Sequence, residues 1–346
     1  MTSSAAEPRS WEALDVPAEV LDRFKGARRV LTVCHENPES DALGSALAFA
    51  LAAEELGARA TPVCADPVPE MYDFLPQMDR FGQQPEPGVE YDLIIVSDCG
   101  ELERIGRILP ENAELFGRVP ILNIDHHKSN AGFGAVDWID PAAAATCEMG
   151  TYLVQALGVP LSAADGAVAA SLMAGIVIDT GNFQHSNTTQ RTLRAAADLV
   201  EAGAPLSETA RRLYRTKPNA QLKLFGLVLA RLKTALEGRL VWSSLLVDDL
   251  AAADAPPSYS EGLVDLLSQS ASGDVVVLFK EVGAETRISV RTRDGGVDAT
   301  VLTGHFGGGG HARASGATVA APLAEAQRLV RAEAERLIAQ LPRPAE

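Results

Sequence analysis

The sequence contains few aromatic residues and no long apolar run. Phe, Trp and Tyr account for 5% of the 346 residues and apolar residues for 47%, so Ala, Leu and Val must fill most of any core. No apolar run approaches the ~18 residues that cross a bilayer. The N-terminal MTSSAAEPRSWE lacks the apolar stretch of a signal peptide. We therefore expect a cytoplasmic protein that makes no membrane contact.

Positive charge is also scarce. The chain has 30 Lys and Arg residues against 46 Asp and Glu residues, which gives a formal net charge of −16 at pH 7. Binding to long duplex DNA requires many basic side chains to neutralise the phosphates, so we do not expect it here. A short phosphorylated ligand is compatible with this charge if its pocket is locally positive.

The cysteines are few, and no two of them form a CxxC pair. They are Cys34, Cys64, Cys99 and Cys147. Three of them lie in or beside apolar runs that are typical of strands. This usage favours buried, reduced thiols over disulfides or a zinc site.

The first part of the chain alternates short apolar runs with helical patterns. The runs predict strands at 28–34, 60–64, 91–97 and 120–124. The helical patterns cover 42–56, 144–157 and 163–178, and Gly57 follows the first of them as a plausible C-cap. Continuous apolar strands separated by helices favour a parallel sheet that is covered on both faces.

After residue 179 the pattern becomes helical, at 189–202, 206–215 and 220–236. New strands are predicted at 239–247, 274–282 and 286–293, and a last helix at 323–341. We therefore predict an α/β protein of two domains, which agrees with roughly 100–200 residues per domain. The first, over 13–205, contains the parallel sheet. A helical linker over 206–238 joins it to a smaller α/β domain over 239–346.

Acidic residues and histidines follow four apolar segments of the first domain, at the point where each segment ends. The set comprises His35, Glu39, Asp41, Asp98, Asp125, His126, His127 and Asp179. Parallel strands deliver their carboxyl ends to one edge of a sheet, where ligands bind, so we expect these side chains to converge. Asp137 and Asp140 lack this context and are weaker candidates.

Carboxylates and imidazoles suit divalent cations such as Mn²⁺ or Mg²⁺. Two such ions about 3.5–4 Å apart require a bridging carboxylate. Asp98 is the natural bridge because it stands alone after a central strand. A hydroxide held by the metals could then attack a phosphorus atom in line.

The second domain carries a glycine-rich segment, GHFGGGGHARASG, over 304–316. Its consecutive glycines let the backbone approach a ligand, and their N–H groups can bind an anion. His311 and Arg313 add donors. Arg287, Arg291 and Arg293 stand at period-two spacing on a predicted strand, so they share a face and could form a phosphate-sized positive patch.

The Asp-His-His at 125–127 and the GGGGHARASG of the second domain resemble the DHH phosphoesterase family and its accompanying DHHA1 domain. The two motifs occur in the expected order. The compact layout is similar to the branch of bacterial oligoribonucleases (nanoRNases) and pAp phosphatases, some of whose relatives hydrolyse cyclic dinucleotides. The resemblance implies a metal-binding catalytic DHH domain followed by a substrate-binding DHHA1 domain.

The resemblance also implies a set of metal ligands. His35, Glu39 and Asp98 would hold one ion. Asp41, Asp98, His126 and Asp179 would hold the other. Mn²⁺ would be the cofactor, two ions per active site, with Mg²⁺ or Co²⁺ as alternatives. The family usually has Asp where this chain has Glu39, whose arm is one methylene longer, so we expect a looser first site or an altered ion preference.

Further roles follow from the same resemblance. Asp98, Asp125 and His127 would be catalytic, with His127 contacting the scissile phosphate and helping to protonate the leaving oxygen. The far end of the substrate, a terminal phosphate or base, would be bound in the second domain. The residues implied there are Arg291, Gly308, Gly309, Gly310, His311 and Arg313.

These roles predict a manganese-dependent phosphoesterase that converts short RNA to 5′-mononucleotides and also hydrolyses pAp or cyclic or linear dinucleotides. An inorganic pyrophosphatase of the same metal-site type is one alternative, although the GGGH loop argues against it. A single-strand DNA exonuclease would usually bring extra nucleic-acid-binding domains. A non-catalytic nucleotide sensor should have lost metal ligands. The Ala-rich helices could serve a homodimer.

Overall fold

The computed structural model describes residues 14–293 and 295–341. The chain divides between Thr216 and Lys217 into two compact units. This division falls inside the segment 206–238, for which the sequence predicts a linker. Residues 206–216 of this segment, which include its first helix, belong to the first unit, and residues 217–238 belong to the second. Within the described ranges, no helix combines the length and apolar character that a bilayer span requires.

A five-stranded parallel sheet forms the centre of the first unit. Its strands are β1 (Arg29–Val33), β2 (Arg59–Val63), β3 (Leu93–Ser97), β4 (Ile121–Asp125) and β5 (Val136–Ile139), in the order β2-β1-β3-β4-β5. Val30 and Ile95 are buried in one core, and Leu31 and Ile94 in another. Because both faces of the sheet are buried at its centre, a central strand such as β3 is a continuous apolar run.

Eight helices surround this sheet in the described part of the first unit. They are α1 (Ala18–Gly26), α2 (Ser40–Glu55), α3 (Ile108–Glu111), α4 (Ala113–Arg118), α5 (Thr146–Ala156), α6 (Ala167–Asp179), α7 (Gln190–Glu201) and α8 (Leu206–Tyr214). Helix α2 is buried along nearly its whole length, and Gly57 follows it with a φ of 89°. This left-handed conformation confirms the predicted helix end.

Helices α2 and α6 approach each other closely at two glycines. A Cβ atom on Gly44 would overlap the backbone carbonyl oxygen of Ser171, and one on Gly175 would overlap the carboxylate of Asp41. The helices can therefore pack this tightly only because these positions lack a side chain. The contact brings Asp41, at the start of α2, towards Asp179, at the end of α6.

The second unit contains a six-stranded mixed sheet. Its strands are β6 (Lys233–Ala235), β7 (Leu240–Leu245), β8 (Val275–Val282), β9 (Glu285–Thr292), β10 (Gly309–His311) and β11 (Ala314–Val319), in the order β10-β11-β9-β8-β7-β6. Strands β7 and β8 pair in parallel, and the other pairs are antiparallel.

The helices of the second unit cover both faces of this sheet. They are α9 (Asn219–Leu229), α10 (Val247–Ala253), α11 (Leu263–Leu267), α12 (Ala299–Gly304) and α13 (Leu323–Ile338). Buried residues of α12 and α13 form one core with the sheet, and those of α9, α10 and α11 form another. The predicted two-domain α/β class is thus confirmed.

Some local predictions were wrong. The helix predicted over 220–236 ends at Leu229, and β6 follows it. The sequence also gave no indication of β5, whose run VDWI is short and interrupted by Asp137. Because β5 exists, Asp137 lies on a strand and Asp140 directly follows one. Our interpretation that neither residue lies near a strand end was therefore wrong.

The contact between α2 and α6 makes a prediction about stability. Gly44→Ala should destabilise the protein by about 1–3 kcal/mol, the usual cost of overpacking, because the new methyl group meets backbone atoms that cannot rotate away. Thermal unfolding checks this. Gly117→Ala is the matched control, since a Cβ atom there meets nothing within 4 Å. Equal melting temperatures for the two variants would contradict the prediction.

Candidate metal centre

The candidate ligands of the first unit gather at the carboxyl edge of the parallel sheet. His35 lies just beyond β1, Asp98 directly follows β3, and His126 directly follows β4. Two helices supply the remaining carboxylates: Asp41 lies in the first turn of α2, and Asp179 is the last residue of α6. Residues that are far apart in the sequence therefore meet at one place, as expected for the carboxyl ends of parallel strands.

One group of ligands surrounds His126. Its Nε2 lies 3.3 Å from Asp179 Oδ2, 3.5 Å from Asp98 Oδ1 and 4.0 Å from Asp41 Oδ2. Asp41, His126 and Asp179 each offer an atom within 4.8 Å of the others. Three carboxylates around one imidazole form a donor set for a divalent cation.

A second group shares Asp98 with the first. Asp98 Oδ2 lies 3.7 Å from His35 Nε2, which lies 3.9 Å from Glu39 Oε1. Asp98 therefore presents Oδ1 to the group around His126 and Oδ2 to the group around His35. This is the arrangement that a carboxylate bridging two cations requires.

The carboxylates in this centre strongly affect each other's charge. Burial, followed by the negative charge of Asp98, raises the pKa of Glu39 to about 8 and the pKa of Asp41 well above its usual value. Burial and the charge of Asp41 likewise raise the pKa of Asp179. Such crowding is unfavourable unless positive charge offsets it, so the centre suits divalent cations.

Asp98 is the exception among these acids. Burial disfavours its charged form, but attraction to the imidazoles of His35, His126 and His127 outweighs burial and lowers its pKa. Asp98 has a φ of 56°, and Thr146 Oγ1 donates a hydrogen bond to its Oδ1 at 3.1 Å. A non-glycine residue in this conformation is commonly found at functional sites.

The tautomer of His35, which lies just beyond β1, is also suited to metal binding. His35 Nδ1 lies 2.7 Å from the carbonyl oxygen of Glu36, which can only accept, so Nδ1 carries the proton. The unprotonated Nε2 then faces Asp98 and Glu39. A ligating histidine normally donates its other ring N–H in this way, so the residues present fit a pair of divalent cations.

Glu39 has a second role that sequence reasoning missed. Its Oε2 accepts a hydrogen bond from the backbone N–H of Asp41 at 2.6 Å, and its Oε1 accepts one from that of Ala42 at 2.9 Å. The side chain therefore caps the N-terminus of α2. The arm that is one methylene longer reaches back to the helix, and both hydrogen bonds fix its carboxylate beside His35.

Asp125 and His127 form a hydrogen-bonded pair next to the centre. His127 Nδ1 lies 2.7 Å from Asp125 Oδ1, while Asn130 Nδ2 donates to Asp125 Oδ2 at 2.7 Å. The hydrogen bond with Asp125 raises the pKa of His127. Since Nδ1 is engaged with Asp125, Nε2 on the other side of the ring can carry a proton for transfer.

The Asp137 and Asp140 side chains have structural partners. Asp137 Oδ1 accepts hydrogen bonds from Asn123 Nδ2 at 2.8 Å and from the backbone N–H of Gly134 at 3.0 Å. Asp140 forms an ion pair with Arg191, with Oδ2 and Nη2 2.8 Å apart. Neither residue belongs to a cluster of candidate metal ligands among the described residues.

The glycine-rich segment lies in the second unit as part of a hairpin between β10 and β11. Gly308 must be a glycine, because a Cβ atom there would overlap the carbonyl oxygen of Gly316. Gly310 has a φ of 139°. The predicted loop thus includes a short strand, Gly309–His311, at the edge of the sheet.

The basic residues near this hairpin have different surroundings. Arg287 and Arg291 share a face of β9, whereas Arg293 lies beyond its end. Arg291 Nε donates to Asp265 Oδ1 at 2.7 Å. Arg313 Nη1 donates to the carbonyl oxygens of Arg293 and Val297 at 2.5 and 3.0 Å, so Arg313 braces the chain that follows β9. His311 is exposed.

Comparisons with known proteins agree with this geometry. Residues 29–190 match the DHH family, N-terminal domain, and residues 243–340 match the DHHA1 domain. Two similar curated proteins are both called bifunctional oligoribonuclease and PAP phosphatase NrnA. The one from Thermus thermophilus is 34% identical over 92% of this chain and 92% of its own length. The one from Bacillus subtilis is 30% identical over 82% of this chain and 87% of its own length.

These matches define the class of protein, a hydrolase that acts on phosphoric ester bonds. The chain belongs to the DHH/DHHA1 phosphoesterase family, as the resemblance implied. Its fold is also similar to that of an exopolyphosphatase-related protein from Bacteroides fragilis. That structure has a TM-score of 0.81 and 21% identity and covers 92% of this chain and 95% of its own.

The position of Asp98 between the two groups makes a prediction about cation binding. Asp98→Asn keeps the shape of the side chain, and Asn tolerates the left-handed backbone conformation, but the charge is lost. We expect two Mn²⁺ ions to bind the wild-type protein and both affinities to fall at least tenfold in the variant, as measured by isothermal titration calorimetry. Asp198→Asn is the control, because Asp198 lies in α7, accepts a hydrogen bond from Gln155 Nε2 at 2.8 Å and belongs to none of the candidate ligand groups. Loss of one ion alone would show that Asp98 does not bridge.

The two roles of Glu39 can be separated. Glu39→Ala removes the helix cap, so the metal-free protein should lose about 1 kcal/mol of stability, and it should also bind Mn²⁺ more weakly. Thermal unfolding with a chelator measures the first effect, and calorimetry measures the second. Glu39→Asp should recover cation binding. Unchanged manganese affinity in Glu39→Ala would remove Glu39 from the site.

Proposed function

We propose that this protein is a manganese-dependent phosphoesterase that hydrolyses short oligoribonucleotides to 5′-mononucleotides and also cleaves pAp. The observation that carries the proposal is the two-sided arrangement around Asp98, next to the Asp125–His127 pair. The Thermus and Bacillus relatives, which are named oligoribonucleases and PAP phosphatases, support this substrate class. Cyclic and linear dinucleotides contain a phosphodiester linkage, as RNA does, and the proposal includes them as substrates.

The proposed metal ligands follow the two groups described above. His35, Glu39 and Asp98 hold one cation. Asp41, Asp98, His126 and Asp179 hold the other. A pair of divalent cations supplies charge neutralisation on phosphate oxygens and makes water more nucleophilic near neutral pH. Oxygen and imidazole donors without thiolate are compatible with Mn²⁺, and with Mg²⁺ or Co²⁺ as substitutes.

His127 supplies the proton in this proposal. Asp125 accepts the hydrogen bond from Nδ1 and thereby orients the ring. The hydrogen bond with Asp125 raises the pKa of His127 and so favours its protonated form. Its Nε2 can then donate a hydrogen bond to the scissile phosphate and transfer a proton to the leaving oxygen.

The second unit binds the end of the substrate that is not cleaved. The proposed residues are Arg291, Gly308, Gly309, Gly310, His311 and Arg313. The guanidinium of Arg291 suits a terminal phosphate, and the glycines let the backbone come close to it. The N–H of Gly308 itself donates to the carbonyl oxygen of Thr303 at 3.0 Å. Arg313 contributes by holding the adjoining chain in place. This positive patch is local, in a protein whose net charge is −16.

A substrate panel tests the proposed function. Hydrolysis is measured with manganese on pAp, a five-nucleotide RNA, a cyclic dinucleotide, pyrophosphate and a single-stranded DNA, with Asp98→Asn as the inactive control. We expect turnover of pAp and RNA. Turnover confined to pyrophosphate would indicate a pyrophosphatase, and turnover confined to DNA an exonuclease. Tight binding of one compound without hydrolysis would indicate a nucleotide sensor.

The role of His127 makes a kinetic prediction. His127→Ala should lower kcat on pAp by about 10²–10⁴-fold, the usual contribution of a general acid, without reducing manganese affinity by more than a few fold. Asp125→Asn should lower kcat as well, because the amide no longer holds the ring in one tautomer. Steady-state kinetics at saturating manganese checks both variants. Wild-type kcat in His127→Ala would exclude its role as the acid.

A further inference from the structure

The segment from the end of β5 through the first turn of α5, residues 140–148, contacts three candidate ligands at once. The backbone N–H groups of Thr146 and Cys147 donate to the two oxygens of Asp41 at 2.7 and 2.8 Å. Thr146 Oγ1 donates to Asp98 Oδ1 at 3.1 Å. The carbonyl oxygen of Ala143 lies 3.4 Å from His126 Nδ1. The orientation of these ligands therefore depends on where this segment lies.

A buried carboxylate at the end of the segment holds its backbone. Glu148 is fully buried. Its Oε2 accepts hydrogen bonds from the backbone N–H of Ala144 at 3.1 Å and from Thr192 Oγ1 at 2.7 Å. Its Oε1 accepts one from Arg191 Nε at 2.5 Å. An unpaired carboxylate in this position would be strongly unfavourable, so the pair with Arg191 is required.

Arg191 connects both ends of the segment to helix α7. Besides Glu148, it contacts Asp140, with Nη2 and Oδ2 2.8 Å apart. Its own carbonyl oxygen accepts a hydrogen bond from Tyr152 Oη at 3.1 Å, which ties α7 to α5. One guanidinium thus contacts both ends of the segment, through a hydrogen bond to Glu148 and an ion pair with Asp140.

The other group of ligands has separate support. His35 is oriented by the carbonyl oxygen of Glu36, and Glu39 is held by the N-terminus of α2. Neither of these contacts involves the segment 140–148. A disturbance of Arg191 should therefore reach the ligands around His126 more than those around His35.

We infer that Asp140, Glu148 and Arg191 form a positioning network that orients Asp41, Asp98 and His126. Its loss selectively weakens binding of the cation held by those ligands and Asp179. A buried ion pair is weak evidence for stability as such, because apolar residues can often replace it. Its contacts here lead to groups that orient metal ligands, and such outer partners commonly change metal affinity by about 10–100-fold. The inference rests on the proposed function, which supplies the cations.

The test compares cation binding in variants of the full chain. Arg191→Met removes the positive charge, and Glu148→Gln keeps the shape but weakens the pair. Arg191→Lys keeps a charge that cannot bridge two carboxylates in the same way. Arg80→Met is the matched control, because Arg80 makes a two-pronged pair with Glu54 in the same unit, at 3.0 and 2.6 Å. Isothermal titration calorimetry and manganese EPR count the ions and measure each affinity.

We expect two binding steps in the wild-type protein and in Arg80→Met. In Arg191→Met and Glu148→Gln, one step should weaken by about 10–100-fold, while the other stays within a few fold. In Arg191→Lys, the weakening of that step should be intermediate between the wild-type protein and Arg191→Met. At limiting manganese, kcat on pAp should fall in Arg191→Met and recover as manganese is raised, with KM for pAp little changed.

Two results would overturn the inference. One is wild-type affinity for both ions in Arg191→Met and Glu148→Gln. The other is an equal weakening of both steps that follows the loss of melting temperature, which would indicate general destabilisation. If Arg191→Met does not fold, Glu148→Gln decides, since it is nearly isosteric. Failure of the wild-type protein to bind manganese would instead contradict the proposed function, so the two failures are distinguishable.

Discussion

The two oxygens of the Asp98 carboxylate face different histidines, and the arrangement of the first unit depends on this division. Oδ1 lies towards His126 and Oδ2 towards His35. Around it, burial and then mutual repulsion raise the pKa values of Glu39, Asp41 and Asp179. Placing carboxylates together at the cost of their solvation is unfavourable in itself. The arrangement is understandable if divalent cations stabilise the charged forms.

The surrounding structure holds these acids by hydrogen bonds from backbone groups. Asp41 accepts from the N-terminus of α5, and Glu39 accepts from the N-terminus of α2. Helix N-termini favour negative charge because their N–H groups lack partners within the helix. The close approach of α2 to α6, which depends on Gly44 and Gly175, brings Asp41 towards Asp179. Packing and charge are therefore coupled in this unit.

The two units contribute different chemistry to the proposed activity. The first unit brings acidic side chains together for cations. The second unit has a glycine-rich backbone segment and guanidinium groups for phosphate. In the second unit, the basic groups are themselves fixed: Arg291 pairs with Asp265, and Arg313 with backbone carbonyl oxygens. Fixed donors lose less conformational entropy on binding a ligand than mobile ones do.

The sequence by itself determined the α/β class, the two units and the set of candidate ligands. Apolar runs that end in Asp or His are visible in the sequence. Because parallel strands place those ends at one edge of the sheet, their convergence could be predicted. Strand β5 was missed because its four residues are interrupted by Asp137. The extent of the helix predicted over 220–236 was also misjudged, since local spacing does not reveal that β6 pairs with β7.

Only the tertiary structure decided how these residues are supported. The family resemblance implied that two groups of ligands share Asp98, but no sequence pattern shows which oxygen faces which group or that Glu39 caps α2. Nor does a pattern reveal that Thr146 and Arg191 lie behind the ligands, because they come from helices whose own periodicity concerns packing. The contacts of Thr146 and Arg191 join residues more than 40 positions apart, such as Thr146 and Asp98, 48 positions apart. They form only when the whole unit has folded.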